Sequence, residues 1–307
     1  MLVAVLDLGT NTFHLLIADI AKGQRPRVIY QETIAVKLGE GGIEEGTISQ
    51  EAFARGINAL NIFKDRIYEY HEVAVKSAAT SAIRSASNGV DFINKAQAAT
   101  GLEIEVIDGE REAELIYLGV RAAISMEDVS LIVDIGGGSV ELIICNKHEI
   151  FWQKSYLIGA ARLMSRFHRH DPISDSDVAE LLSYLDETLE ELHVQMLRFK
   201  PKFLIGSAGS FETFAEMQDP DFKPSFDKPE TEIKMSSFER IADLIIKSTH
   251  QQRERMKDLS PVRVDMIVVS TILAKYIIDL SGVDMIKLST YSLKEGLLWE
   301  QAHNSPC

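Results

Sequence analysis

Two short segments of this 307-residue chain carry the residue types that hold phosphates and divalent cations. Asp7-Leu8-Gly9-Thr10-Asn11-Thr12 runs into Phe13-His14-Leu15-Leu16-Ile17-Ala18. Asp134-Ile135-Gly136-Gly137-Gly138-Ser139 runs into Val140-Glu141-Leu142-Ile143-Ile144-Cys145, 127 residues further on. In each, an Asp, an apolar residue, a Gly, two small or polar positions and a hydroxyl residue precede an apolar run. So many matches in register point to a duplicated unit. Carboxylates bind Mg²⁺, which prefers hard oxygen donors. The backbone N–H groups of Gly9, Thr10, Asn11 and Thr12, and of Gly136, Gly137, Gly138 and Ser139, can form anion-binding nests. Thr12 and Ser139 add hydroxyl donors. An isolated Asp-Gly turn is an ordinary hairpin turn. The repeated pair favours phosphate and metal binding between two domains, where ligands tend to lodge.

Two more small-residue segments have the same use. Ser77-Ala78-Ala79-Thr80-Ser81-Ala82-Ile83-Arg84 follows an expected strand and enters a helix, and Gly206-Ser207-Ala208-Gly209-Ser210 does the same in the second half. Each offers free N–H groups at a helix N-terminus, which favour anions; close strand-to-helix packing calls for the same small residues. Gly206, Ser207 and Gly209 are therefore candidate phosphate contacts. Arg84 is a candidate clamp, because a guanidinium binds phosphate through two parallel hydrogen bonds; its alternative is a surface ion pair. Phosphoryl transfer to water also needs a carboxylate to orient and deprotonate that water. Glu110, Glu112 and Glu114 open a helix, where acidic residues also complement the dipole, and spacing alone does not choose among them.

Other chemistries find little support. The eight histidines show no HExxH spacing, no GxSxG or P-loop segment is present, and Gly136-Gly137-Gly138 lacks the GxGxxG pattern. His168 and His170 sit in a basic patch over residues 166–170 and are expected to face solvent. His14 is expected to pack or hydrogen-bond beside the first turn, and Cys145 to be buried and inert.

These groups need a scaffold that brings distant segments together. Strand, Gly turn and returning strand are expected at 3–6 and 13–19, and again at 131–133 and 140–146. Ser49 caps a helix reaching residue 70, with Phe53, Ile57, Leu60 and Ile67 at helical spacing. A strand over 73–77, a helix over 90–100 stopped by Gly101, a strand over 103–107 and a helix over 110–123 complete the first half. The second half reads as helices over 160–169 and 175–199, a strand over 203–205, and a loop over 219–230 holding three of the eight prolines. Helices over 237–248 and 264–280, a strand over 285–288 and a helix over 292–301 follow. Such alternation gives the α/β class, with the domain boundary between 123 and 130.

Composition sets outer limits. The length allows two domains. A net charge of −14 argues against broad nucleic-acid binding, which needs a basic surface, so duplex nucleic acid is not an expected partner. A polyanion would have to be held by local cations, metal and N–H groups against the global field. No apolar run approaches the ~20 residues of a membrane span. The apolar start meets Asp7 without a basic flank and reads as a strand, not a signal peptide. Two cysteines, Cys145 and Cys307, make no disulfide framework and suit a reducing cytoplasm.

Seven ordered segments resemble the exopolyphosphatase and guanosine pentaphosphate phosphatase family over nearly the whole chain. They are Asp7 to His14, Lys37-Leu38-Gly39-Glu40-Gly41, Ala79 to Arg84, Gly109 to Ala113, Asp134 to Ser139, Gly206 to Gly209, and Leu293-Lys294-Glu295-Gly296. The resemblance implies two tandem ribonuclease H-like domains of the actin-like ATPase superfamily around a cleft. The first would span 1–124 with the C-terminal helix at 291–307, the second 125–290. It implies hydrolysis of the terminal phosphoanhydride of inorganic polyphosphate, with Glu112 as the base that activates water. Asp7 and Asp134 fall on its metal positions, for magnesium (Mg²⁺) or Mn²⁺, and the two Gly turns and Arg84 on its phosphate positions. Guanosine pentaphosphate is the alternative substrate, because it too presents a terminal phosphoanhydride. A kinase of the superfamily or a non-catalytic nucleotide-binding scaffold is a remoter reading, without a clear adenosine-pocket motif. A homodimer is also implied. The chain resembles the short family members, without the C-terminal helical extension that helps to hold long polyphosphate. The loop over 39–46, with Glu40, Glu44 and Glu45, is acidic near the expected anion path. That favours short substrates or nucleotides, unless the loop points away.

Overall fold

The computed structural model describes residues 1–21, 24–207 and 209–304. Ala208 of the second small-residue segment and residues 305–307, Cys307 among them, lie outside the described residues.

The first half starts with an antiparallel meander, β1 (Leu2–Leu8), β2 (Thr12–Asp19) and β3 (Arg27–Ala35). Ser49 caps α1 (Gln50–Tyr68) by accepting the N–H of Ala52, and α1 carries the chain to β4 (Ala74–Ala79), parallel to β1. Then come α2 (Ser81–Ser85), α3 (Gly89–Thr100), the two-residue β5 (Glu105–Val106) beside β4, and α4 (Gly109–Ala123). α3 stops at Gly101, whose φ of 72° is the left-handed conformation glycine adopts without strain.

The second half repeats this plan. β6 (Ser130–Ile135), β7 (Val140–Cys145) and β8 (Ile150–Tyr156) form the meander. α5 (Ala160–Phe167), α6 (Asp175–Thr188) and α7 (Glu190–Phe199) lead to β9 (Phe203–Ser207), parallel to β6. After these come α8 (Gly209–Gln218), β10 (Glu230–Ile233), α9 (Met235–Ile246), α10 (His250–Glu254), α11 (Ile267–Ser281), β11 (Ile286–Ser289) and α12 (Leu293–Asn304). The sheet orders are β3-β2-β1-β4-β5 and β10-β11-β9-β6-β7-β8. Read from β8, the second sheet reproduces the first and adds β10 at its edge. This is the ribonuclease H-like arrangement, present twice.

β6 and β7 are buried along their whole length, so they read as continuous apolar runs. β3 alternates exposed and half-buried positions, and β8 is half-buried along most of its length. β3, β8, β10 and the five-residue helix α10 have no counterpart in the sequence expectation: β3 and β8 mix apolar and polar residues without full burial, and β10 and α10 are short and polar. The helix expected over 175–199 is two helices: at Leu189 (φ −99°, ψ 18°) the backbone leaves the helical region. Leu181 and Leu185 before the break, Leu189 itself, and Leu192 and Met196 after it still reach one core.

α4 and α12 form the layer that joins the halves. Ala113, Ile116 and Val120 of α4 and Leu293, Leu297, Leu298 and Ala302 of α12 share a core with Val3 and Val5 of the first sheet and Ile132, Ile143 and Ile205 of the second. The two helices cross closely because glycines meet there. A Cβ on Gly119 would lie 2.1 Å from the Ser292 carbonyl oxygen, and one on Gly296 would lie 1.8 Å from that of Leu115. The N-terminus of α12 is thereby set at the bottom of the cleft. Among the described residues no helix is long and apolar enough to cross a membrane.

Candidate active site

The two glycine turns close in the same way. Gly9 N–H donates to the Thr12 carbonyl at 3.1 Å, and Gly136 N–H to the Ser139 carbonyl at 3.0 Å. Each turn then spends its remaining carbonyls on a neighbouring segment. The Gly136 and Gly137 carbonyls accept from Ala160 and Ala161 at the start of α5, and the Thr10 and Asn11 carbonyls accept from residues 36–38. A trans peptide points its N–H opposite to its C=O. The N–H groups of Asn11, Thr12, Gly137 and Gly138 are therefore turned away from those partners.

The turns meet across a cleft of about 560 Å³ lined by both. A Cβ on Gly137 would lie 3.1 Å from Thr10 Cβ, and one on Gly138 would lie 2.4 Å from Thr10 Oγ1 and 2.6 Å from Ser81 Oγ. The Thr10 and Ser81 hydroxyls are buried and have no hydrogen-bond partner among the described residues. Donors without acceptors in a narrow gap are what a phosphate oxygen can satisfy.

Glu112 stands in the first turn of α4, whose N-cap is Asp108. Only 7% of it is exposed. Arg84 Nη1 donates to its Oε2 at 2.7 Å and to the Ile107 carbonyl at 2.9 Å. Burial pushes Glu112 up to about 7; the Arg84 charge opposes that rise and Asp134 adds to it. Arg84, expected as a phosphate clamp, is here turned onto the carboxylate of Glu112.

Asp7 and Asp134 sit at equivalent strand ends, paired in register with His14 and Glu141. Burial raises Asp7 to about 7, with Lys294 opposing and Glu112 and Asp134 reinforcing the rise. Burial also raises Asp134, against hydrogen bonds from Ser292 Oγ (2.5 Å) and Ser207 Oγ (2.8 Å). Both hydroxyls bond Oδ2. Among the described residues no hydrogen bond reaches Asp134 Oδ1 or the Asp7 carboxylate. Two oxygen donors that repel each other, with free lone pairs facing a cleft, fit a hard cation. Among the described residues no three His, Cys, Asp or Glu side chains converge as a cage. The donor set therefore suits a cation that keeps most of its water, as Mg²⁺ does.

The second small-residue segment is placed differently from expectation. Gly206 is pressed against Phe211, whose ring would stand 2.0 Å from an added Cβ. Ser207 is fully buried and spends its hydroxyl on Asp134. Close packing and second-layer support, rather than an open anion nest, account for these two residues. Gly209 does line the cleft, beneath the Arg263 guanidinium.

Several cleft residues carried no assignment from the sequence. Glu141, the strand partner of Asp134, is held by Ser155 Oγ at 2.7 Å, and burial together with Glu112 and Asp134 raises it well above the carboxylate range. The repeat could have found it, since it stands where His14 stands in the first copy. Lys294 lines the cleft from α12, 3.1 Å from Glu295. Burial works to lower its pKa, but Glu295, Glu212 and Asp7 carry it up. Arg263 reaches the cleft from 50 residues beyond Thr213, its hydroxyl partner, and pairs with Glu212 at 2.5 Å. His14 bonds Thr12 Oγ1 and Thr33 Oγ1, both at 2.9 Å, and burial pushes it down to about 3, so it is a neutral spacer. His170 is exposed and bonds Asp177, but His168 is half-buried, which lowers its pKa, and does not face solvent as expected. Cys145 is buried and free.

The Ppx/GppA phosphatase family matches residues 16–305. Among relatives, Exopolyphosphatase 1 of Mycobacterium leprae is 26% identical over 307 aligned residues, 97% of this chain and 88% of that protein. Among solved structures, an exopolyphosphatase from Cytophaga hutchinsonii is 40% identical with a TM-score of 0.96, covering 100% of this chain and 99% of that one. The Ppx-GppA enzyme of Aquifex aeolicus gives a TM-score of 0.81 at 25% identity over 98% of this chain and 99% of its own. With facing glycine turns, a buried glutamate lining the same cleft and a match that runs from β2 to the end of α12, the chain belongs to the Ppx/GppA phosphatase family.

Proposed function

We propose that this chain is an exopolyphosphatase, which releases orthophosphate from the end of inorganic polyphosphate. The observation that carries this reading is the contact of the two glycine turns across a cleft that also holds Glu112. The names of the similar proteins point the same way. The terminal phosphate lies between the N–H groups of residues 9–12 and 136–139, with Thr10, Ser81 and Ser139 hydroxyls on its oxygens. Glu112 Oε2 is occupied by Arg84, so Oε1 takes the proton from water. As that water oxygen bonds to the terminal phosphorus, the bond to the bridging oxygen breaks and the shortened chain leaves as the anion. Lys294 and Arg263 line the same cleft and would meet this leaving charge. A Mg²⁺ ion held by Asp7 and Asp134 would neutralise charge on the phosphate oxygens.

The two halves, 1–124 with helix α12 and 125–290, act as the jaws of the cleft. On this reading the chain works as a cytoplasmic homodimer; light scattering checks the dimer, and cell fractionation checks the location. The deciding experiment is phosphate release from polyphosphates of graded length and from guanosine pentaphosphate, each with Mg²⁺ and with chelator. Release from polyphosphate at a kcat/KM at least tenfold above guanosine pentaphosphate is expected. The opposite ratio would assign the nucleotide as substrate, and no release from either would end the reading.

A further inference from the structure

Arg162 lies in the first turn of α5, and its guanidinium is shared among three uncharged acceptors. Nε donates to the Gly138 carbonyl at 3.0 Å, Nη1 to the Ile43 carbonyl at 3.2 Å, and Nη2 to Ser85 Oγ at 2.9 Å. Acidic residues outnumber lysine and arginine 46 to 32 in this chain, so an arginine at a seam would ordinarily find a carboxylate. Among the described residues no ion pair reaches Arg162; Glu44 acts on it only from a distance. Gly138 is in the second glycine turn. Ile43 and Ser85 are in the first half, on the loop over 39–46 and at the end of α2. Ser85 also donates to the Ser81 carbonyl at 2.8 Å, and its chain neighbour Arg84 holds Glu112. A single side chain thus spans from the phosphate turn of one half to the helix that carries the partner of Glu112 in the other.

We propose that Arg162 is an interdomain positioning residue, which registers the turn over 136–139 against α2 and, through Ser85 and Arg84, sets Glu112 relative to the bound phosphate. The guanidinium fork is planar and rigid, so its three acceptors are all met at one relative placement of the halves. Water replaces two of these bonds when the halves part, so the clamp biases the closed state without locking it. The inference rests on the reading of the site under Proposed function, because it concerns where Glu112 stands during hydrolysis.

Arg162→Ala should lower kcat about 10- to 100-fold, the scale of a misplaced catalytic group, while KM changes less than about threefold. Arg162→Lys should recover only part of the loss, since an ammonium cannot span three separated acceptors. Adding Ser85→Ala to Arg162→Ala should cost little more than Arg162→Ala alone, because both remove one connection. Amide hydrogen exchange should quicken over residues 41–46 and 81–86 in Arg162→Ala, whether or not any substrate turns over. If Arg162→Ala does not fold, Arg162→Gln carries the same comparison. An unchanged kcat, an effect confined to KM, fully additive losses with Ser85→Ala, or unchanged exchange would each overturn the proposal. If the wild-type chain releases no phosphate from either substrate, the functional reading fails, and the exchange comparison still decides whether Arg162 ties the halves together.

Discussion

The guanidinium of Arg84 lies 2.7 Å from the carboxylate of Glu112, so the residue expected to grip phosphate holds the residue expected to accept the proton. The Arg84 charge favours ionised Glu112 while burial disfavours it, and burial prevails, leaving its pKa at about 7. A base poised near the working pH is suited to general-base catalysis.

If Glu112 must be ionised, kcat/KM should rise about tenfold per pH unit on the acid side and level off above about 7. Arg84→Met removes a charge that lowers this pKa, so its acid limb should move to higher pH. Profiles of both proteins between about pH 5 and about pH 9 make the comparison. Superimposable acid limbs would separate Arg84 from the ionisation that governs the rate.

Glu112→Gln keeps the shape and the bond from Arg84 but cannot take a proton. Phosphate release should fall about 10²- to 10⁴-fold, with polyphosphate binding retained in equilibrium measurements. Turnover within about threefold of wild type would exclude Glu112 as the base.

Asp7 makes folding depend on pH. Its pKa is 3.8 in the reference state and about 7 in the folded chain, so the folded state binds more protons between those values. Its contribution to stability is fully present below the lower value and is lost as pH rises through the upper one. In chelator at pH about 8, Asp7→Asn should therefore raise Tm, and at pH about 4 it should not. Mg²⁺ should raise the wild-type Tm at pH about 8 and raise that of Asp7→Asn less. Equal Mg²⁺ effects on the two proteins would remove Asp7 from the cation site.

Lys294→Met deletes a cleft cation that Glu295, Glu212 and Asp7 keep protonated. A charge-assisted bond to a substrate oxygen, once lost, should raise KM about 10- to 100-fold in steady-state assays. A KM unchanged within error would place the ammonium off the substrate path.

Gly138→Ala puts a methyl group 2.4 Å from Thr10 Oγ1 and 2.6 Å from Ser81 Oγ. The wedge should force the turns apart and lower kcat about 100-fold. Far-ultraviolet circular dichroism should be unaltered, because both sheets lie behind the contact. Normal turnover would show that the turns need not meet.

By itself the sequence determined the class of chemistry and the duplication. Asp-x-Gly followed by an apolar run is a local pattern, and its recurrence after 127 residues is visible without coordinates. Buried strands such as β6, and helices with clear stops such as α3, were legible for the same reason: each is governed by neighbours in the chain. The exposed meander strand β3, the half-buried β8 and the break at Leu189 depend on what packs against them, so their local patterns were silent. Only the tertiary structure decided which cationic side chains line the cleft. Lys294 reaches it because Gly119 and Gly296 let α12 cross α4 closely. Arg84 turns to Glu112 rather than to the gap, and Ser207 supports Asp134 from behind. These are contacts between residues 28 to more than 150 apart, set by how the layers stack rather than by any spacing along the chain.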